Sequence, residues 1–200
     1  MSLRVVTEPT VEPLTLAEIR LHLGETVYDT DGHPNDALFT AAGIAARSWA
    51  EEFTGLALAP TDFELLLDAF PEESEIELPR PPVLEITSVQ YIDQALDTQT
   101  VSVANYSLDH YQRPGWLLPA PDFSWPATAA VANAVRVRYR SGFVSLATTD
   151  ETSTQVLLPG AIKAALSILV GVFYRQREDA VIPEGVKSLL RPFRINTGMA

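Results

Sequence analysis

The chain has 200 residues, 46% of them hydrophobic, and a net charge of −12. It is long enough to bury a sizeable core, and its composition argues against a disordered chain. It has no cysteine, which excludes disulfides, thiolate catalysis and cysteine-based zinc sites and fits a reducing compartment. The acidic balance excludes an overall cationic footprint for wrapping nucleic acid, and suits a surface that DNA passes without sticking.

The opening MSLRVVTEPTVEP has neither the apolar run nor the small-residue cleavage site of a signal peptide. The longest apolar run, Ala164 to Tyr174, is too short to span a bilayer. The expectation is a soluble, cytosolic protein with no membrane partner. Pro13-Leu14-Thr15-Leu16-Ala17-Glu18 predicts a helix start, with Thr15 as N-cap and Glu18 closing a capping box. Leu16, Ile19 and Leu23 share a face, and Gly24 can end the helix. A polar loop follows. A second helix starts at Asn35 or Asp36 and stops at Gly55, with Leu38, Ala42, Ala45, Trp49 and Phe53 as its apolar stripe.

From Leu56 to about Ser145 the pattern changes to short strands. TDFELLLDAF, ESEIELP, VLEITSVQYID, TVSVANYSLD and AVRVRYRSGF are separated by Pro, Gly, Asn and Asp clusters. Asp93 to Thr100 predicts a hairpin connection. Pro79, Pro81 and Pro82 predict a stiff extended crossover ahead of the strand from Val83, where no ladder N–H is needed. RPGWLLPAPDFSWPAT, 113–128, predicts an aromatic loop packed on the sheet. Helix returns after Leu158-Pro159-Gly160. Two adjacent stripes, Ala161, Ala165, Ile168, Val172 and Ile162, Leu166, Leu169, Phe173, predict the most buried element. Val186, Leu189, Leu190 and Phe193 suggest a short last helix before a loose tail.

The fold class is therefore α+β. N- and C-terminal helices form a four-helix core, and an antiparallel β module is inserted between helices two and three. Residues 1–55 and 156–194 are the two parts of the helical core, 56–147 the β module and 195–200 a flexible tail.

Chemistry is sparse. There is no GxSxG, HExxH, GxxxxGK[ST] or GxGxxG. His22, His33 and His110 are far apart, and acidic pairs such as Glu51-Glu52 do not share a face. No catalytic, cofactor-binding or metal-binding residue is assigned, and the expectation is a protein that is not an enzyme. Three features carry interaction potential. Period two places Arg136, Arg138 and Arg140 on one strand face, either as a docking strip for an acidic partner or in cross-strand pairs with Glu75, Glu77 or Glu85. Trp116, Phe123 and Trp125 are either a platform for glycan or peptide or a cap on the sheet. The segment from Val186 onward has Lys187, Arg191 and Arg194 and no acid. With Leu189, Leu190 and Phe193 it is either a partner-binding arm or a helix packed on its own domain.

In order along the chain, PLTLAEIRLHL, NDALFTAAGIAARSWAEEFTG, ELPRPPVLEITSVQYID, RPGWLLPAPDFSWP, AVRVRYRSGF, LPGAIKAALSILVGVFYRQRE and IPEGVKSLLRPFR resemble the long form of the tailed-phage head-to-tail connector (adaptor, or head completion) family. The pattern is also similar to the adaptor of gene transfer agents. The resemblance runs from about Pro13 to Arg194. It implies a structural subunit that forms a ring, a dodecamer in the particle, below the portal and extends the DNA channel toward the tail. The implied partners are other copies of itself, the portal protein and a tail-side completion or stopper protein. DNA passes the lumen without specific binding. The implied location is the virion, after assembly in the cytoplasm of a bacterial host. The family has no catalytic residues to carry over. Its portal-gripping C-terminal segment maps onto Lys187, Leu189, Leu190, Arg191, Phe193 and Arg194, and Arg136, Arg138 and Arg140 are the candidate subunit-interface strip. The polar loop at 148–155 is longer than the family pattern needs.

Overall fold

A computed structural model describes residues 1–25, 32–72, 75–143, 157–176 and 180–195. The fold is α+β, with four α-helices and antiparallel strands in two sheets among the described residues. The chain divides into two compact units. The loop at 148–155 and the tail beyond Ile195 lie outside the described residues.

The helical unit takes, of the described residues, 11–25, 32–59, 143, 157–176 and 180–195. Helix α1 (Leu16–Leu23) opens on the expected capping box: Glu18 N–H donates to Thr15 Oγ1 at 3.2 Å, and Thr15 N–H donates to Glu18 Oε2 at 2.9 Å. Helix α2 (Asp36–Thr54) stops at Gly55, whose φ of 76° is one that glycine adopts without a Cβ clash. Helices α3 (Gly160–Gln176) and α4 (Glu184–Leu190) complete the unit. The inner stripe of α2 is Phe39, Ala42, Ala46 and Ala50, not the expected Leu38, Ala42, Ala45 and Trp49, and Leu38 is 47% exposed. Both stripes satisfy helical spacing. The alanine stripe wins because it presents no bulk, so the Ile162, Leu166 and Leu169 row of α3 can join the same buried cluster. Phe39 closes the end of that stripe edge-on to Tyr174, ring centres 5.0 Å apart. Trp49 and Phe53 are only half-buried, stacked at 5.2 Å on the flank. On α3 the expected stripe Ile162, Leu166, Leu169 and Phe173 is buried except for half-buried Phe173, whereas the stripe Ala161, Ala165, Ile168 and Val172 is mixed, with Ile168 exposed.

The sheet unit takes residues 1–10 and 60–142. Its strands are β1 (Ser2–Thr7), β2 (Thr61–Leu67), β3 (Ile76–Leu78), β4 (Val83–Ile92), β5 (Thr98–Thr100), β6 (Tyr106–Asp109), β7 (Gly115–Pro119) and β8 (Val135–Ser141). They form a five-stranded sheet in the order β1-β2-β8-β4-β5 and a three-stranded sheet in the order β3-β7-β6. Residues 2–7 correct the sequence reading, which gave them to the helical part. They pair antiparallel with β2 as an edge strand, Leu3 opposite Leu65 and Val5 opposite Phe63. The match is non-local, so a short run at the chain end gives no periodic signal of its own. Residues 79–82 do link the two sheets, but not as an extended run. Arg80 has a φ of 61° and the Pro81–Pro82 bond is cis, making a compact turn. Pro79 O accepts the Tyr139 hydroxyl at 2.8 Å, and Pro82 O accepts Gly142 N–H at 2.9 Å. The 93–100 hairpin is present, built on Asp93, whose Oδ1 accepts Ala95 N–H at 2.9 Å and Asp97 N–H at 3.0 Å. The segment expected as the strand TVSVANYSLD breaks into β5, a 3-10 turn at Val103–Asn105 and β6. Part of the expected aromatic loop is strand β7, because Leu117 points inward between half-buried Trp116 and Leu118.

Candidate functional site

On β8 the expected alternation holds without exception. Val135, Val137 and Tyr139 are buried and Arg136, Arg138 and Arg140 are exposed. Burial pushes the Tyr139 phenol well above its ordinary range, so it stays neutral and donates to Pro79. The arginines lie on the outer face of the five-stranded sheet. In register across it, Arg4 faces Glu64, Glu64 faces Arg138, and Asp62 faces Arg140. Arg138 Nε donates to Glu64 Oε1 at 2.7 Å, and the Arg4 guanidinium sits against Glu64 Oε2 as an ion pair without an aligned hydrogen bond. Arg140 stands 3.9 Å from Asp62. The carboxylate partners are thus on β2, not Glu75, Glu77 or Glu85. Glu85 is the register neighbour of Arg140 on β4, and Glu77 belongs to the other sheet. Arg136 makes no hydrogen bond or ion pair among the described residues.

Glu64 is the centre of this face and was missed in the sequence. Its side chain is 1% exposed, while those of Arg4 and Arg138 are 58% and 47% exposed. Burial raises its pKa, but the Arg138 hydrogen bond and the charges of Arg138 and Arg4 outweigh burial and hold it below the ordinary glutamate value. The available signal was a lone acid between Phe63 and Leu65, in step with Asp62 at period two.

The C-terminal segment folds on its own unit. Val186 and Leu190 are fully buried in the helical cluster, and Leu189, Phe193 and Ile195 pack against it. Leu190 is therefore core and offers no surface to a partner. Ile195 N–H donates to Thr54 O at 2.7 Å, and Arg194 lies over the Phe53 ring, 5.5 Å from its centre. Lys187 and Arg191 both meet Glu184, at 3.1 and 3.4 Å. That acid lies two residues before the acid-free stretch that singled the segment out.

The aromatic residues do not form an open platform. Trp125 stacks flat on Phe70, ring centres 4.7 Å apart, with Phe123 edge-on at 5.8 Å, and both tryptophans are half-buried. His33 rests on Phe39 and His110 on Tyr111. Among the described residues no group of His, Asp or Glu is placed to hold a metal ion, and no helix is long and apolar enough to cross a membrane.

What the surface offers is thus a built charged sheet face centred on Glu64. No family model matches the chain, and no curated protein does. Solved structures do match, over nearly the whole length. A chain from the virion of a native gene transfer agent (GTA) particle is 26% identical with a TM-score of 0.76, covering 97% of this chain and 95% of that one. A chain from the neck of an empty GTA particle, computed with C6 symmetry, is 26% identical at a TM-score of 0.74 with the same coverage. A chain from the neck of a native GTA particle, computed with C12 symmetry, is 25% identical at 0.68, again covering 97% and 95%.

Proposed function

We propose that this chain is a structural subunit of a particle neck: the head-to-tail connector of a gene transfer agent, phage or prophage. Twelve copies form a ring below the portal and extend the DNA channel toward the tail, where a completion or stopper protein binds. One observation carries the reading. The likeness to neck chains spans 97% of this chain and 95% of theirs, so it covers both units and not a shared module. In this reading the helical unit is the ring-building core and the β module an insert within it. Arg136, Arg138 and Arg140 belong to the contact between subunits. Of the C-terminal candidates, Lys187, Arg191 and Arg194 remain at the surface to meet the portal, with Leu189 and Phe193 as half-buried support. The chain is not an enzyme. DNA crosses the lumen without specific binding, consistent with the charge of −12.

The test is purification of particles from a host carrying the gene with a tagged copy, followed by averaging of the neck. Tag density in a ring between portal and tail is expected. Tag density elsewhere, or particles that assemble full necks after deletion of the gene, would reject the reading.

A further inference from the structure

Strand β1 is held by its ladder and one ion pair more than by burial. Of its residues only Leu3 is half-buried; the rest, Arg4, Val5 and Val6 among them, are exposed. A register shift between Val5 and Thr7 leaves Val6 without a partner on β2. An edge strand that buries so little apolar surface opens at low cost. The chain that follows it is unpinned. Glu8, Thr10 and Val11 are exposed, Pro9 is half-buried, and none of them makes a hydrogen bond or ion pair among the described residues. Pro9 has no N–H to offer and biases Glu8 toward extended backbone. Anchorage resumes at Glu12, whose Oε2 accepts from Arg47 Nε at 2.8 Å. Residues 8–11 are therefore a hinge between a lightly attached strand and a fixed point in the helical unit.

The strand beneath is the opposite case. On β2, Thr61, Phe63, Glu64 and Leu65 are all buried. Without β1, its edge presents open ladder groups beside apolar side chains. It also strands Glu64, whose Oε2 has the Arg4 guanidinium as ion-pair partner and no hydrogen bond. A strand that covers β2 must bring a cation opposite Glu64 and apolar residues opposite Leu65 and Phe63. Among the described strands β1 carries that pattern as Leu3-Arg4-Val5. Strand β8 carries it too, but is already laddered between β2 and β4. The edge of β2 thus selects β1, and it accepts β1 of a second copy as well as its own, because register, ladder and the Arg4–Glu64 pair are reproduced unchanged.

We propose that β1 is an exchangeable strand: it swings out on residues 8–11 and docks on β2 of a second copy of this chain, whose own β1 is passed on in turn. The two ladders contain the same contacts, so the hinge and the local concentration of copies decide between them. A donated strand and an accepting edge on every copy make the link head-to-tail, a form that closes into a ring when the rotation allows. The exchange goes beyond the neck reading and does not depend on it.

Disulfide trapping tests it, because the chain has no cysteine of its own. Ser2 and Leu66 are register partners, the first exposed and the second half-buried. A purified S2C chain and a tagged L66C chain are unfolded together in urea, refolded at high concentration and oxidised with copper phenanthroline. A disulfide between them requires the strand of one on β2 of the other. The expected product is a mixed dimer, resolved by size on a non-reducing gel. Its yield should exceed by about tenfold that of S2C with a Ser48→Cys chain, since thiols held face to face react at a raised effective concentration. A donor carrying S2C/R4Q should give about fivefold less, because β2 then favours the acceptor's own Arg4. The S2C/L66C chain alone should give closed monomers together with linked oligomers. Closed monomers only, with mixed dimer at the Ser48→Cys level, overturn the proposal. So does the absence of any disulfide in S2C/L66C, which would remove the ladder itself, and so does an undiminished yield from S2C/R4Q. All of these readouts use the purified chain, so the neck reading stands or falls separately, on particles.

Discussion

The two units solve one electrostatic problem with opposite signs. In the helical unit a cation is inside: the Arg47 side chain is 9% exposed and held by Glu12 at 2.8 Å and Glu51 at 2.9 Å. In the sheet unit an anion is inside, Glu64, and its two arginines are outside. The difference lies in what surrounds the buried group. The carboxylates holding Arg47 are themselves only 25% and 17% exposed, while the arginines holding Glu64 are 58% and 47% exposed. Burial lowers the Arg47 pKa, but Glu12 and Glu51 more than offset it, so the group stays charged at any ordinary pH. The helical triad is a closed structural tie. The sheet triad keeps its cationic ends in water, where they are available to a partner.

An uncharged reference sets the scale for this contrast. Phe39→Ala removes a fully buried ring from the helical cluster and is expected to cost about 3–5 kcal/mol, read as a fall in the urea midpoint. Arg47→Met should cost about 3 kcal/mol, because it strands Glu12 and Glu51 in partly dry surroundings. Glu64→Gln should cost less, about 2 kcal/mol, because the arginines it frees can rehydrate. If Glu64→Gln proves the costlier of the two charge changes, the closed-and-open distinction fails.

The pH dependence sharpens the same point. Glu64 titrates lower in the folded chain than in the unfolded one, where its ordinary value is 4.5. The unfolded chain therefore takes up the proton first as pH falls. The stability Glu64 contributes is complete above that value and is lost as pH drops through the folded pKa. Wild type should lose stability across this acid range more steeply than Glu64→Gln, measured by urea unfolding at a series of pH values. The smallest expected effect is that of Leu38→Ala, on the solvent face of α2, at less than about 0.5 kcal/mol. A loss comparable to that of Phe39→Ala would mean that the exposed stripe of α2 is buried in an assembled state of the purified chain.

Local chemistry was legible in the sequence, and partner choice was not. The Thr15–Glu18 capping box, the Gly55 stop and the β8 alternation each depend on residues within one turn or one strand, and each is found where the spacing put it. The stripe of α2 was displaced by one residue because helical spacing alone admits two faces, and only the packing opposite α3 selects the alanines. Strand β1 and Glu64 were missed for a related reason. Their meaning comes from pairing between residues 4, 64 and 138, which no local window contains. On the candidate docking arm, apolar Leu190 looked available for a partner because its burial is supplied by elements far upstream.

The helical unit is assembled from both ends of the chain, and synthesis makes that a matter of timing. The inner face of α2 is complete once Thr54 has been made, but α3 begins only at Gly160, so roughly a hundred residues must be added first, about 5–20 s at ordinary elongation rates. Through that interval Phe39 and the alanine stripe have no permanent cover. Meanwhile β2, β4 and β8 become available in turn, and β8 closes the central ladders before α3 is finished. The nascent chain thus reaches an ordered sheet while half of its helical surface is still waiting. That interval leaves apolar helical surface exposed, the kind of surface that makes incomplete chains prone to aggregate.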